Sequence, residues 1–196
     1  MASHPHFLWA DLFRQKSSAG NLVPEALRQN VLFSTLTAKE LHFLSSLIYE
    51  RVYEAGETVF RQNDRGLGMY VIARGSVAIK ATTPEKGEVE VARLEKGSFF
   101  GELSLIDQDN MRTATAVSLE KSVLIGFFKP DLMEILDRKP AMGVKILLML
   151  SQVLGKRLMA TTDRLSDMSE HDKVARIDTS APIVEGKPDV ARKNAA

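Results

Sequence analysis

The chain has no cysteine in its 196 residues. That absence removes disulfides, iron–sulfur clusters, thiolate zinc sites and cysteine nucleophiles together, and it is compatible with a reducing compartment. Long apolar runs are missing too. The longest, "ILLML" from Ile146 to Leu150, falls far short of the roughly 20 residues that cross a bilayer. At the N-terminus Asp11 and Arg14 break up "FLWADLF" before an export signal can build, so a cytoplasmic location is expected. Charge of one sign is also lacking: Lys plus Arg number 26 against 25 for Asp plus Glu, a formal net charge of +1. Such a balance gives no electrostatic footprint for nucleic acid. No internal repeat is visible, which argues against a tandem array.

What is present suffices for one packed domain with appendages, since 44% of the residues are apolar. Residues 1–30 read as an N-terminal amphipathic arm and linker. Leu8, Trp9, Leu12 and Phe13 share a helix face, and "KSSAGN" follows as a flexible break. The arm either packs on its own domain or docks on a partner or membrane, and the first reading is the simpler. Pro24 begins a second helical stretch, and Thr37 with Glu40 forms a capping box ahead of "LHFLSSLI".

From about Tyr49 to Phe128 the texture changes to short β-rich runs separated by glycines at positions 56, 66, 68, 75, 87 and 97. The runs "TVF", "MYVIA", "SVAIKA", "EVEVARL", "TATAV" and "SVLIGFF" supply strands of an antiparallel roll or barrel. Helix returns at Pro130 and again after Pro140, with the longest helix expected from Met142 to about Met168. The fold class is therefore mainly β with flanking helices: an antiparallel β-roll, or jelly-roll barrel, with N-terminal helices, a short helix inside the β region and a long C-terminal helix. Residues 31–168 form the domain. Residues 169–196, polar and containing Pro182 and Pro188, read as a disordered tail.

One stretch carries chemistry: "GSFFGELSLIDQDNMRTATAV", from Gly97 to Val117. Gly101 to Ile106 can form a short helix, and Gly101 lets its backbone come close to a ligand. The first amides of such a turn make an anion site, to which Arg112 adds a permanently charged fork of donors. Glu102 would repel a phosphate. The conflict disappears if it accepts a hydrogen bond from a hydroxyl of the same ligand, as a ribose 2′-OH offers. Phosphate plus ribose means a nucleotide. The competing reading is that Glu102 and Arg112 form an ion pair that caps a turn in a ligand-free interaction scaffold.

These residues resemble the phosphate-binding cassette of the cyclic nucleotide-binding domains, in which Gly-Glu-Leu-Ala/Ser precedes Arg-Ser/Thr/Ala-Ala. "YEAGETVFRQNDRGLGMYVIARGSVAI" resembles the opening strands and glycine turns of the same family, and the likeness covers roughly Leu32 to Leu165. It implies that Glu102 holds the ribose, while Arg112, Thr113 and the amides of Leu103, Ser104 and Ala114 hold the cyclic phosphate, with Gly101 opening the turn. Two departures stand out. Met111 replaces the proline often found before the arginine, and the loop is one residue longer than in eukaryotic members, a length that matches the bacterial catabolite-activator type.

In the long helix Leu147, Leu154, Thr161 and Met168 recur every seven residues, with Leu150 on the same seam and a drift to Leu158 and Leu165. A homodimer through this helix is expected; the alternative is that the stripe covers the chain's own barrel. "GKRLMATTDRL" resembles the central helix of catabolite-activator regulators, which implies that Thr161 and Thr162 contact the base. That pair points to cAMP, with cGMP as the competitor because Thr113 is typical of cGMP-preferring eukaryotic modules.

The helix-turn-helix that such transcription factors carry after the long helix has no counterpart in the tail, so no direct DNA binding is expected. The output would pass to an unknown downstream protein partner. No enzyme is expected either. His171-Asp172 resembles the metal-binding dipeptide of one phosphodiesterase class, but the other histidines are only His4, His6 and His42, and no metal site or catalytic constellation emerges.

Overall fold

The computed structural model describes residues 22–106 and 111–178, and the side chains of those from 23 to 163. The amphipathic face of Leu8, Trp9, Leu12 and Phe13 lies outside the described residues, as does the tail from 179. Helix α1 (Leu22–Gln29) leads into a 3-10 turn (Val31–Phe33) and helix α2 (Ala38–Leu47). The capping box forms as expected: Thr37 Oγ1 accepts from the Glu40 amide at 3.3 Å, and Glu40 Oε2 accepts from the Thr37 amide at 2.7 Å. Ala26 and Leu27 of α1, within the stretch read as arm and linker, are buried, and the helix packs on the strand Gly68–Arg74. Asn30 ties this entry to the roll, donating from Nδ2 to Gly97 O at 2.9 Å while its Oδ1 accepts from the Leu32 amide.

Among the described residues eight strands follow: β1 (Tyr49–Tyr53), β2 (Thr58–Phe60), β3 (Gly68–Arg74), β4 (Ser76–Thr83), β5 (Gly87–Glu95), β6 (Phe99–Phe100), β7 (Thr115–Ser118) and β8 (Ser122–Phe128). They form two antiparallel sheets, ordered β1-β8-β3-β6 and β2-β7-β4-β5. The core lies between them, with Tyr53, Ile72, Val77, Phe100, Ala116 and Leu124 buried and Val59, Phe60, Tyr70, Ile79 and Leu94 packed against that cluster. β8 is buried at six successive positions rather than alternate ones, because helices cover its outer face. Phe33 of the 3-10 turn meets Phe127 edge-on at 5.9 Å. At the other extreme, β5 is a largely exposed edge rich in Glu. The architecture is the antiparallel β-roll with flanking helices that the sequence predicts.

Helix α3 (Leu103–Ile106) is the single turn between β6 and β7, and α4 (Lys129–Arg138) opens with Pro130 in its first turn. The Asp131 carboxylate accepts from the Phe128 amide at 2.8 Å, capping α4. Helix α5 runs from Pro140 to Asp178, past the expected boundary at 168. Residues 169–178, "SEHDKVARID", contain neither proline nor glycine. Polarity alone does not stop a helix, and the first breaker is Pro182.

The chain divides into two units, residues 1–151 and 152–196. Within the first, α5 buries Met142, Ile146 and Leu150. Leu150 therefore belongs to the core of its own domain and not to an intersubunit seam, because a four-residue step keeps it on the face of Met142 and Ile146. Lys145 Nζ meets Glu40 Oε1 and Oε2 at 2.9 and 3.0 Å, joining the start of α5 to α2. In the second unit, Leu158 and Met159 are each 69% exposed. Among the described residues no helix is long and apolar enough to cross a membrane.

Candidate functional site

The turn that follows β6 begins at Gly101, whose φ of +75° lies in the left-handed region. A Cβ there would also come within 2.4 Å of Arg112 Nη1, so glycine satisfies both the turn and the arginine behind it. The Ser104 amide donates to Gly101 O at 3.2 Å and the Leu105 amide to Glu102 O at 3.0 Å. The turn thus closes on itself. The Ser104 amide, expected to face an anion, is already engaged inside it, because a one-turn helix uses its few amides in 3-10 bonds.

Arg112 is fixed first through its backbone. Its amide donates to Asp64 O at 2.9 Å, its carbonyl accepts from the Asn63 amide at 2.8 Å, and Arg65 bridges Met111 beside them. The side chain is then held from two sides. Nη1 donates to Gly101 O at 3.0 Å and to Ser104 Oγ at 2.9 Å. Cζ lies 3.9 Å from the centroid of the Phe60 ring and 6.0 Å from that of Tyr70.

Arg112, Glu102 and Ser104 are 5%, 6% and 2% exposed. Burial lowers the Arg112 pKa from its ordinary value, and Tyr70, Glu102 and Asp64 draw it back; guanidinium stays a cation in proteins. Its Nε is buried and has no hydrogen-bond partner. A buried donor in that state is costly, and an oxygen of a phosphate-like anion is an acceptor that would satisfy it.

The first unit thus brings together Gly101, Glu102, Leu103, Ser104, Arg112, Thr113 and Ala114. Thr113 is exposed and Ala114 half-buried as the chain enters β7. Thr161 and Thr162 belong to the second unit, exposed on α5, where their hydroxyls donate to Arg157 O and Leu158 O at 2.9 and 3.0 Å. Residues 107–110 of the loop, His4 and His6 lie outside the described residues, and the side chain of His171 is among those not described. Among the described residues no group of three or more His, Asp or Glu side chains could hold a metal ion.

Two site residues escape the sequence reading. Phe60 sits inside the strand run "TVF", where an aromatic signals only a core. Gly66 reads as a turn glycine, yet it leaves room for the site: a Cβ there would fall 2.1 Å from Ser104 Oγ and 2.6 Å from Arg112 Nε.

Two packed sheets with a buried arginine held by a glycine-started turn define the class, an antiparallel β-roll with one charged turn in its wall. Residues 50–139 match the family model described as cyclic nucleotide-binding domain. The chain is 30% identical over 128 residues to the cyclic AMP receptor protein of Thermus thermophilus, an alignment that covers 65% of this chain and 59% of that one. It is 33% identical over 125 residues to the alpha subunit of the rod photoreceptor cyclic nucleotide-gated channel of Gallus gallus, covering 61% and 19%. The crystal structure of the N-terminal domain of a transcriptional regulator from Streptomyces coelicolor A3(2) superposes with a TM-score of 0.62 at 30% identity, covering 69% of this chain and 94% of that one. The likeness to the cyclic nucleotide-binding domain family thus rests on residues 50–139. The chain spans about three fifths of the Thermus receptor and about a fifth of the channel subunit.

Proposed function

We propose that this chain is a sensor module that binds a cyclic nucleotide, cAMP in preference to cGMP, and responds through its C-terminal helix. The observation that carries the reading is the buried, unpartnered Nε of Arg112. An ion-paired or turn-capping arginine in a ligand-free scaffold would account for the Nη1 bonds to Gly101 and Ser104 but not for the unsatisfied Nε–H. A cyclic phosphodiester supplies the missing acceptors, and its single negative charge matches the single guanidinium. Glu102, buried beside Arg112, takes the ribose 2′-OH. Thr113 and the amides of Leu103 and Ala114 complete the phosphate contacts.

Assignment of the base to Thr161 and Thr162 and of a homodimer to α5 belongs to the same proposal. So do a cytoplasmic location, an unidentified downstream protein partner in place of direct DNA contact, and a binding rather than enzymatic role. A ligand moves a conformational equilibrium only through its different affinities for the two states. The readout we assign is therefore a change in α5 when base and phosphate are both engaged, with α4 and the start of α5 as the hinge.

Calorimetric titration of the full chain with cAMP and with cGMP tests the reading, alongside identification of any nucleotide released when the purified protein is denatured. Saturable binding of cAMP with one ligand per chain supports it, and tighter binding of cGMP would reverse the ligand order. Absence of binding by both nucleotides would leave the scaffold reading.

A further inference from the structure

Phe60 lies outside the cassette motif and has no hydrogen bond to offer, yet its ring lies against the charged end of Arg112. Strand β2 is three residues long, and its pairing with β7 slips between Thr58, opposite Val117, and Phe60, opposite Ala116. Such a slip re-aims a side chain. Here it accompanies a ring centroid 3.9 Å from Arg112 Cζ. The ring is held in turn by Phe100 at 5.7 Å and Tyr70 at 6.1 Å, which stack on each other at 5.7 Å with an interplanar angle of 24°.

A buried cation needs compensation when no ligand is bound. The charges of Glu102 and Asp64 supply part of it, but a carboxylate hydrogen-bonded to every N–H would occupy the donors a phosphate requires. An aromatic face attracts the cation from above its plane and accepts none of its in-plane N–H groups. That fits the donor pattern of Arg112, where Nη1 is engaged and Nε is not.

We propose that Phe60 is a positioning residue for Arg112: its ring holds the buried guanidinium flat and leaves its Nε–H to meet an anionic ester. The identity of that ester as a cyclic nucleotide phosphate rests on the function proposed above. The placement of the guanidinium does not. Because the ring acts through Arg112, its effect falls on the charged phosphate and not on the nucleoside.

The test uses the full chain as wild type, Phe60→Leu and Phe60→Trp. Each is titrated with cAMP and with adenosine, which lacks the phosphate, and the Arg112 Nε–H resonance is recorded by NMR without ligand. The wild-type resonance is expected to carry a ring-current shift that Phe60→Leu loses. Phe60→Leu should bind cAMP about 5- to 30-fold more weakly, with Phe60→Trp within about threefold of wild type and adenosine unchanged throughout. Unchanged cAMP affinity in Phe60→Leu overturns the proposal, and so does an equal loss for cAMP and adenosine, which would mean that the ring packs on the nucleoside. If the wild type binds neither cAMP nor cGMP, the functional reading falls and the NMR decides the positioning role by itself: a shift lost in Phe60→Leu upholds it, and an unshifted wild-type resonance refutes it. Should Phe60→Leu fail to fold, the wild-type shift decides in the same way.

Discussion

Replacing Gly66 with alanine introduces a methyl group 2.1 Å from Ser104 Oγ and 2.6 Å from Arg112 Nε. Both distances lie well inside van der Waals contact, and neither neighbour can yield freely. Ser104 Oγ accepts from Arg112 Nη1 at 2.9 Å, and the Arg112 backbone is fixed on both sides by residues 63 and 64. The guanidinium must therefore shift as a unit, carrying its Nε edge away from its present direction. Overpacking of this kind costs about 1–3 kcal/mol of stability, which lowers the melting temperature by about 2–4 °C per kcal/mol for a domain of this size. Loss of one charge-assisted hydrogen bond to a ligand, worth about 1.5–3 kcal/mol, lowers affinity roughly 10- to 150-fold. Gly87→Ala is the matched control. Its φ is +68° and nothing lies within 4 Å of the added methyl, so it should cost about 1–2 kcal/mol of backbone strain and leave affinity untouched. Melting curves and calorimetry with cAMP on both variants make the comparison. Wild-type affinity in Gly66→Ala would refute the claim that this glycine sets the position of Arg112.

Three further outcomes are expected. Glu102→Gln should weaken cAMP binding by less than removal of Arg112, because the amide oxygen still accepts from a ribose hydroxyl; an equal loss in calorimetry would mean that Glu102 orients the turn instead. Burial pushes the Asp131 carboxyl up to about 7 against the opposing Phe128 amide, with Glu134 adding to the rise. Its folded state therefore takes up a proton that the unfolded chain releases, and stability falls as pH rises from about 4 to about 7, by at most ~1.4 kcal/mol per pH unit; Asp131→Asn should flatten that part of the melting-temperature profile. Replacing Thr161 and Thr162 together by valine should reduce discrimination between cAMP and cGMP while leaving most of the affinity for the shared ribose phosphate, and unchanged discrimination in competition binding would remove these two residues from the base contact.

The cassette was legible because its signal is local. Gly101, Glu102, Ser104 and Arg112 lie within a dozen residues, so a glycine turn, a carboxylate and a guanidinium can be read in one short stretch. The strand runs were legible for a similar reason, as short β-branched and aromatic segments between glycines. Phe60 was not. Its role depends on a slipped pairing between β2 and β7 and on an arginine 52 positions away, neither of which leaves a mark in "TVF". The two-residue β6 is too short to carry a period, and β1, "YERVY", hides behind its charges. Heptad counting put Leu150 on an outer seam, but period alone does not say which surface a stripe covers, and here its face is the domain's own core. From 169 to 178 the polar stretch read as disordered continues α5 to Asp178, because polarity without a breaker does not end a helix.

The central claim is that Arg112 holds a cyclic phosphodiester, and calorimetric titration of the wild type and Arg112→Ala with cAMP tests it most directly. Removing one partner of a buried charge-assisted pair typically costs about 2–5 kcal/mol. The account predicts one saturable site per chain in the wild type and an affinity lower by about two to three decades in the variant, with the ligand-free variant still folded by circular dichroism. Equal affinities in the two proteins would contradict it.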